Sequence, residues 1–264
     1  MARTLLAFTG VCAMMAGLCF AQNTVTQTLV ITDKKRTITA VADPWCPFNC
    51  DPASANPGIM VEVLKEALEP LGYRVDYQTV PWTRALAQTL DGTYDIVIAA
   101  DKIEGAGMLF PEAEFACSYS AFSLKEKAFP YLGMQSLEDK RIGGTKGYHY
   151  DDAEMAYFEA NKLHPTKASL LVGEDTLLRN IKKLESGRLD VLYENADVLH
   201  YTLKNTGQSL DIVRLYDTTS NTCSYGISPR IPDGHELKRI ISEHFQTINE
   251  SGRLNAIRAR YHLD

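Results

Sequence analysis

The run Asp95-Ile-Val-Ile-Ala-Ala100 most constrains the fold. After its aspartate it is apolar at every position, so neither face can be given to water. That is the pattern of a strand buried on both sides, as in a parallel sheet covered by helices. The residues before it supply such a sheet. Thr37–Val41 alternates, is rich in β-branched residues and ends at the turn signal Asp43-Pro44. After a long loop to Pro57-Gly58, the residues Met60, Val63, Leu64, Ala67, Leu68 and Leu71 form one stripe at helical period, which Gly72 ends. Arg74–Val80 reads as a strand. Pro81 then starts a helix with Trp82, Ala85, Leu86 and Leu90 on its apolar side, stopped at Asp91-Gly92. The order β-α-β-α-β predicts an α/β architecture with a mainly parallel sheet.

The pattern then restarts. Arg141–Gly143 is a short strand that runs into a glycine-bounded loop, followed by a helix near Asp152–Leu163 and a strand near Ala168–Val172. Asp175 stands at the cap of a helix that turns Leu177, Leu178, Ile181 and Leu184 inward and ends at Gly187. Leu189–Tyr193 is a second buried strand, and Ala196–Lys204 a further helix. Leu90-Asp-Gly-Thr-Tyr-Asp95 and Leu184-Glu-Ser-Gly-Arg-Leu-Asp190 share one order: helix end, glycine, two residues, aspartate, apolar strand. Together with the repeated element order, this predicts two similar lobes. A strand at Ser224–Ser228, an amphipathic helix at Glu236–Asn249 and a last helix with Ile257 and Tyr261 inward form a tail too short for a third domain.

The first residues, Met-Ala-Arg and then an apolar stretch to Phe20 closing on Cys19-Phe20-Ala21, have the form of a secretory leader cut after Ala21. An uncleaved anchor is the alternative. Loss of Arg3 with the leader leaves 26 basic against 33 acidic residues, a charge of −7. With that balance and no Lys/Arg block, a nucleic-acid partner is not expected. Export leaves Cys46, Cys50, Cys117 and Cys223 in an oxidising compartment. Four cysteines allow three pairings, and the sequence leaves the choice open. Cys46-Pro-Phe-Asn-Cys50 lacks a second ligand pair at metal spacing, and the six histidines are scattered, so neither metal nor cofactor is expected.

Several phrases, in order, carry a resemblance. They are Ala42-Asp-Pro-Trp-Cys-Pro-Phe48, Pro57-Gly-Ile-Met-Val-Glu-Val-Leu, Val80-Pro-Trp-Thr-Arg-Ala-Leu and Leu90-Asp-Gly-Thr-Tyr-Asp95, then Arg141-Ile-Gly-Gly-Thr-Lys-Gly147, Leu184-Glu-Ser-Gly-Arg-Leu-Asp190 and Asn249-Glu-Ser-Gly-Arg-Leu-Asn-Ala-Ile. From about Thr37 to His262 the chain resembles type II periplasmic solute-binding proteins of extracellular solute-binding family 3, best known for polar amino acids. The resemblance implies two α/β lobes joined by two crossing strands, with the ligand in the cleft between them. The crossings are expected near Phe122–Lys125 and Tyr225–Ser228, with residues 22–124 and 223–264 in lobe one and 125–222 in lobe two. On that map Cys117 and Cys223 both lie near the hinge, so the expected pairs are Cys117–Cys223 and, clipping one loop, Cys46–Cys50.

Loops after parallel strands face such a cleft, and five stretches offer candidate ligand residues. Asp43, Trp45 and Phe48 lie in the first loop, where the family places a ligand aromatic. Trp82 starts a helix, and Arg84, off its apolar stripe, suits a carboxylate. Ala100 and Asp101 follow the buried strand. In amino-acid-binding relatives an arginine a few residues later clamps the carboxylate; here that position falls near Gly107, and no arginine occurs between Arg84 and Arg141. Tyr148 and His149 follow the glycine-bounded loop, a natural anion seat, where relatives place hydroxyl residues. Glu194 and Asn195 end the second buried strand, Asn195 standing where relatives carry an aspartate for the ammonium. Both halves of the amino-acid signature are therefore altered.

The expected function is capture of a small polar solute, amino-acid-like or another charged molecule, by a monomeric periplasmic protein that presents it to an inner-membrane ABC permease. Two alternatives differ in class. One is a binding module reporting to a membrane sensor or redox system. The other is a dehydratase-like enzyme on the same fold, with Glu194 as its acid or base. No Gly-x-Ser-x-Gly, His-Glu-x-x-His or phosphate-loop pattern is present, and the chain is read as a non-enzyme.

Overall fold

The computed structural model describes residues 35–173, 175–219 and 221–263. The leader expected at residues 1–21 lies outside them. Strand β1 (Thr37–Ala42) is followed by α1 (Ile59–Leu68), β2 (Arg74–Thr79), α2 (Trp82–Leu90) and β3 (Ile96–Ala100). The chain continues through β4 (Phe115–Ala116), β5 (Tyr119–Leu124), β6 (Ile142–Thr145), α3 (Asp152–Ala160), β7 (Ala168–Leu171), α4 (Thr176–Glu185), β8 (Val191–Asn195), α5 (Ala196–Thr206) and β9 (Ile212–Asp217). It ends with β10 (Thr222–Ile227), α6 (Gly234–Glu250) and α7 (Arg253–Arg260).

The strands form two five-stranded sheets, ordered β2-β1-β3-β10-β4 and β7-β6-β8-β5-β9. In each, three parallel strands form one side, and antiparallel strands extend the other. Ile96, Val97 and Ile98 have no exposed surface, as their unbroken apolar run requires. The tail packs back as expected: Ile257 and Tyr261 are buried, and Tyr261 Oη accepts a hydrogen bond from the Gly58 N–H at 2.8 Å.

The repeated sequence phrase has a physical cause. Asp95, just before β3, accepts hydrogen bonds from the N–H and hydroxyl of Thr39 on β1 and pairs with Arg36 at 2.8 Å. Asp190, just before β8, does the same work on β6: it accepts from the Arg141 N–H and takes the Arg141 guanidinium in two bonds of 2.8 and 2.6 Å. In both sheets an aspartate at the strand entrance therefore locks the start of the neighbouring parallel strand through an arginine. The guanidinium holds the Asp190 carboxyl below the usual carboxylate range.

Several expectations need correction. Strand β5 belongs wholly to the second sheet and β10 wholly to the first, so the chain changes sheets between β4 and β5 and again between β9 and β10, ahead of the expected Phe122–Lys125 and Tyr225–Ser228. Lys125–Lys127 is a 3₁₀ turn. Leu71 leaves the apolar stripe and is 41% exposed, because the chain tightens into a 3₁₀ turn at Glu69–Leu71 around Pro70. Leu90 is equally exposed, and Thr89 takes the buried position on α2. Asp175 occupies the cap position of α4 in a left-handed conformation, and its side chain makes no capping bond. Strands β4 and β9 were not anticipated.

Cys46 pairs with Cys50, and Cys117 with Cys223, at Cα separations of 4.7 and 5.6 Å. The second bond spans 106 residues and ties the end of β4 to β10 beside both sheet changes. In the chain-entropy account, a loop of that length contributes about 5 kcal/mol and the four-residue clip about 2. Urea unfolding of Cys117→Ala/Cys223→Ala is therefore expected to show a stability loss about twice that of Cys46→Ala/Cys50→Ala. Equal losses would contradict this.

Candidate functional site

The ends of four parallel strands build the site. After β1 come Asp43, Pro44 and Trp45, in a loop tightened by the Cys46–Cys50 bond and by the Trp45 N–H to Asn49 carbonyl bond of 2.7 Å. Gly58 is required here. Its φ is 119°, and a Cβ would lie 2.4 Å from the Phe48 carbonyl oxygen. Phe48, fully buried, stacks under Trp45 with ring centroids 4.9 Å apart, so it supports the tryptophan from behind. Near the end of β3, Ala99 takes a left-handed φ of 69° where the pairing with β10 shifts register. Such backbone in a non-glycine residue costs free energy and collects at functional sites. Asp101 follows, closing a turn by accepting the Ile103 and Glu104 N–H groups.

The second sheet answers across a cleft. After β6 the loop carries Gly147, Tyr148 and His149; at the end of β8 stand Glu194 and Asn195. Among the described residues, five polar contacts bridge the two sides. Trp45 Nε1 donates to Glu194 Oε1 at 2.9 Å, and the Tyr148 hydroxyl to Asp43 Oδ2 at 2.7 Å. Trp82 Nε1 donates to the Gly147 carbonyl at 3.0 Å. The His149 N–H donates to Glu104 Oε1 at 2.6 Å, and its Nδ1 lies 3.1 Å from Asp101 Oδ2. Gly147 permits this approach: with φ at 90°, a Cβ there would meet the Thr83 methyl at 2.8 Å. Tyr119 and Tyr148, with centroids 5.9 Å apart, extend the aromatic lining, and Tyr150 packs behind Tyr119 at 4.9 Å.

The candidates from sequence separate clearly. Asp43, Trp45, Trp82, Asp101, Tyr148, His149 and Glu194 come together in this cleft. Ala100 joins Asp101 and His149 in lining a cavity of about 230 Å³ on the β10 side. Asn195 is committed to the fold: its Oδ1 caps α5 by accepting the Asp197 and Val198 N–H groups, and its Nδ2 donates to the Ser118 carbonyl. Arg84, expected as the cleft cation, is exposed on α2, and its side chain bonds no other described residue. Glu104, Tyr119 and Tyr150 were missed. Glu104 stands in the segment where the family's arginine was sought, and nothing in its spacing marks it. Tyr119 carried one signal, the Cys-Ser-Tyr phrase it shares with Tyr225.

The electrostatics have one sign. Burial pushes the Asp43 carboxyl up to about 7, against the pull of the Tyr148 hydroxyl. Burial likewise raises Glu194 to about 7, although Trp45 and the Asn195 N–H favour its charged form. Glu104 rises to about 8, first through desolvation and then through the neighbouring Asp101 charge. Among the described residues no lysine or arginine pairs with any of these three carboxyls. Asp43, only 7% exposed, also lines two adjoining cavities of about 210 and 340 Å³, which Asp175 shares. Carboxyls tuned toward neutrality in a cleft mark a functional site better than a structural one.

Solved structures with similar folds include a histidine kinase sensor domain with similarity to periplasmic binding proteins, at 19% identity over 86% of this chain and 96% of that one, with a TM-score of 0.67. An ancestral arginine-binding protein bound to arginine matches at 16% identity over 87% and 99% of the two chains, with a TM-score of 0.69. A substrate-binding protein of an ABC uptake transporter from Streptococcus pneumoniae, with bound histidine, matches at 18% identity over 85% and 92%, with a TM-score of 0.68. No family model and no curated protein matches the chain. The likenesses establish the fold: this is the two-lobed α/β architecture of periplasmic binding proteins.

A carboxyl with a raised folded-state pKa binds its proton more tightly when folded, so its ionisation destabilises the fold above that pKa. The penalty is complete above pH 8 and disappears as the pH falls from about 8 toward 4, the ordinary carboxylate range. Asp43→Asn removes one such penalty, on the order of 2–4 kcal/mol at pH 8. Its thermal midpoint at pH 8 is expected to exceed that of the parent protein by roughly 5–10 °C, with the gap shrinking as the pH falls and closing near pH 4. A lower midpoint at both pH values would show that Asp43 is structural.

Proposed function

We propose that this chain is a periplasmic solute-binding protein. It captures a small polar solute between its two lobes and presents the closed form to a membrane partner, without catalysing a reaction on it. Lobe one would hold the first sheet with α6 and α7, and lobe two the second sheet. The observation that carries this is the set of bonds between the two sides, Trp45 to Glu194, Tyr148 to Asp43 and Trp82 to Gly147. Buried polar groups from opposite sheets, met edge to edge around unpaired carboxyls, make a closing surface suited to a ligand placed among them. A ligand that bonds both sides favours the closed form over the open one, and a partner can recognise that difference.

The partner separates two versions. An ABC permease fits the similarity to the transporter protein with bound histidine, and a sensor fits the similarity to the kinase sensor domain. We favour the permease, because the first expectation from sequence and the likeness to the uptake-transporter protein with bound histidine both point to uptake. An enzyme on this fold requires a substrate anchor beside its acid. Glu194, the candidate acid, is instead held by Trp45 and by the Asn195 N–H.

The test uses the chain's own reporters. Its two tryptophans, Trp45 and Trp82, both sit at the cleft. A panel of amino acids, small organic acids, polyamines and sugars is expected to contain a compound that raises the thermal midpoint. At a hundred times its dissociation constant it adds about 2.7 kcal/mol, or roughly 5–10 °C. The same compound is expected to shift the tryptophan emission and to reduce the radius of gyration in solution scattering. A midpoint rise with unchanged emission and scattering would contradict closure. Turnover of the compound would contradict a purely binding role.

A further inference from the structure

In the cleft the usual place for a ligand's acid group is already taken. The loop after β6 presents its His149 N–H across the cleft, and that donor goes to Glu104 Oε1 at 2.6 Å. Two other N–H groups of the loop are spent at home, Thr145 on the Tyr150 hydroxyl and Lys146 on the Leu171 carbonyl. The arginines that could answer a carboxylate are committed elsewhere or turned outward. Arg36 pairs with Asp95 and Asp233, Arg141 with Asp190, and Arg84 is exposed. A carboxylate entering here would meet the Asp43, Glu194 and Glu104 carboxyls, none of which is paired with a described lysine or arginine.

An organic cation meets the reverse. Asp43 is more than nine-tenths buried and lines both cavities beside it. Its Oδ2 accepts the Tyr148 hydroxyl, and no described lysine or arginine pairs with the carboxyl. Glu194, 2% exposed, lies across the cleft, held by Trp45. The rings of Trp45 and Tyr148 pack beside these carboxyls, and Tyr148 stands edge-on to Trp45 and Trp82 at 6.3 and 5.8 Å. Aromatic walls around a desolvated positive charge add cation–π attraction.

We propose that the cleft takes a small organic ammonium or guanidinium ion that carries no carboxylate, seated against Asp43 and Glu194. This rests on the reading of the chain as a solute-binding protein and names its ligand class. The cation supplies the charge that the buried carboxyls lack and donates to the Asp43 carboxylate. Specificity against amino acids follows from what the cleft rejects: the acid end of a zwitterion finds its seat filled by Glu104.

Matched pairs test this without any mutation. Calorimetry of the purified chain with cadaverine and lysine, agmatine and arginine, and choline and glycine betaine compares cations that differ mainly in the carboxylate. In at least one pair the carboxylate-free member is expected to bind at least tenfold more tightly. Asp43→Asn and Glu194→Gln are each expected to weaken that binding at least tenfold while retaining the parent's circular dichroism. If the amino acid or betaine binds more tightly in every pair that gives heat, the proposal is overturned and solute binding stands. If none of the six binds, the proposal is also overturned. Solute binding itself then fails only if the wider panel of compounds is silent as well.

Discussion

Negative charge buried without a counter-cation is the constraint on which the cleft depends. Asp43 and Glu194 sit on opposite sides, each enclosed by protein and each held by one aromatic donor from the other side, Tyr148 or Trp45. Such bonds offset part of the desolvation of a carboxylate and leave the rest uncompensated. The fold tolerates this because the surrounding frame is over-determined. Arginine–aspartate locks fix the entrance of a parallel strand in each sheet, a 106-residue disulfide loop ties β4 to β10, and the strands beneath are apolar on both faces. Stability is thus concentrated in the two sheets, and the region between them carries the cost that a ligand can relieve.

Much of that frame was legible in the sequence, for physical reasons. A strand buried on both faces has no polar alternation to confuse it, so β3 and β8 stood out. Amphipathic helices between them announced themselves by their stripes. The strands that were missed or misassigned obey different rules. Strand β9, Ile212–Asp217, is an edge strand whose residues are mostly half-exposed, so its pattern is weak. Strand β5 is buried throughout yet contains Ser120 and Ser123, and Ser120 is satisfied by an acid 97 residues away, Asp217. No local reading reveals that partner. The misplaced sheet changes followed directly from taking β5 as a crossing strand.

The site divides along the same line. Residues at the ends of core strands, Asp43, Asp101, Tyr148 and Glu194, could be named from position alone, because strand ends in this architecture face the cleft. Residues that arrive by a turn could not. Glu104 reaches His149 only because Asp101 folds the chain back on itself with two side-chain-to-backbone bonds. Arg84 shows the opposite failure. Being off an apolar stripe says that a side chain avoids one face of a helix, and here the remaining face was solvent. Asn195 stands at the right strand end, but the helix behind it needed a cap and took its amide.

The central claim is that the cleft holds buried carboxyls whose missing partner is the ligand. Carbon-detected NMR titration of the side-chain carboxyls in the ligand-free protein tests it most directly. The account requires two resonances that titrate near pH 7, one removed by Asp43→Asn and the other by Glu194→Gln. If every carboxyl in the protein titrates within the ordinary range of about 3 to 5, those groups are already hydrated or paired. The cleft would then hold no uncompensated charge for a ligand to meet.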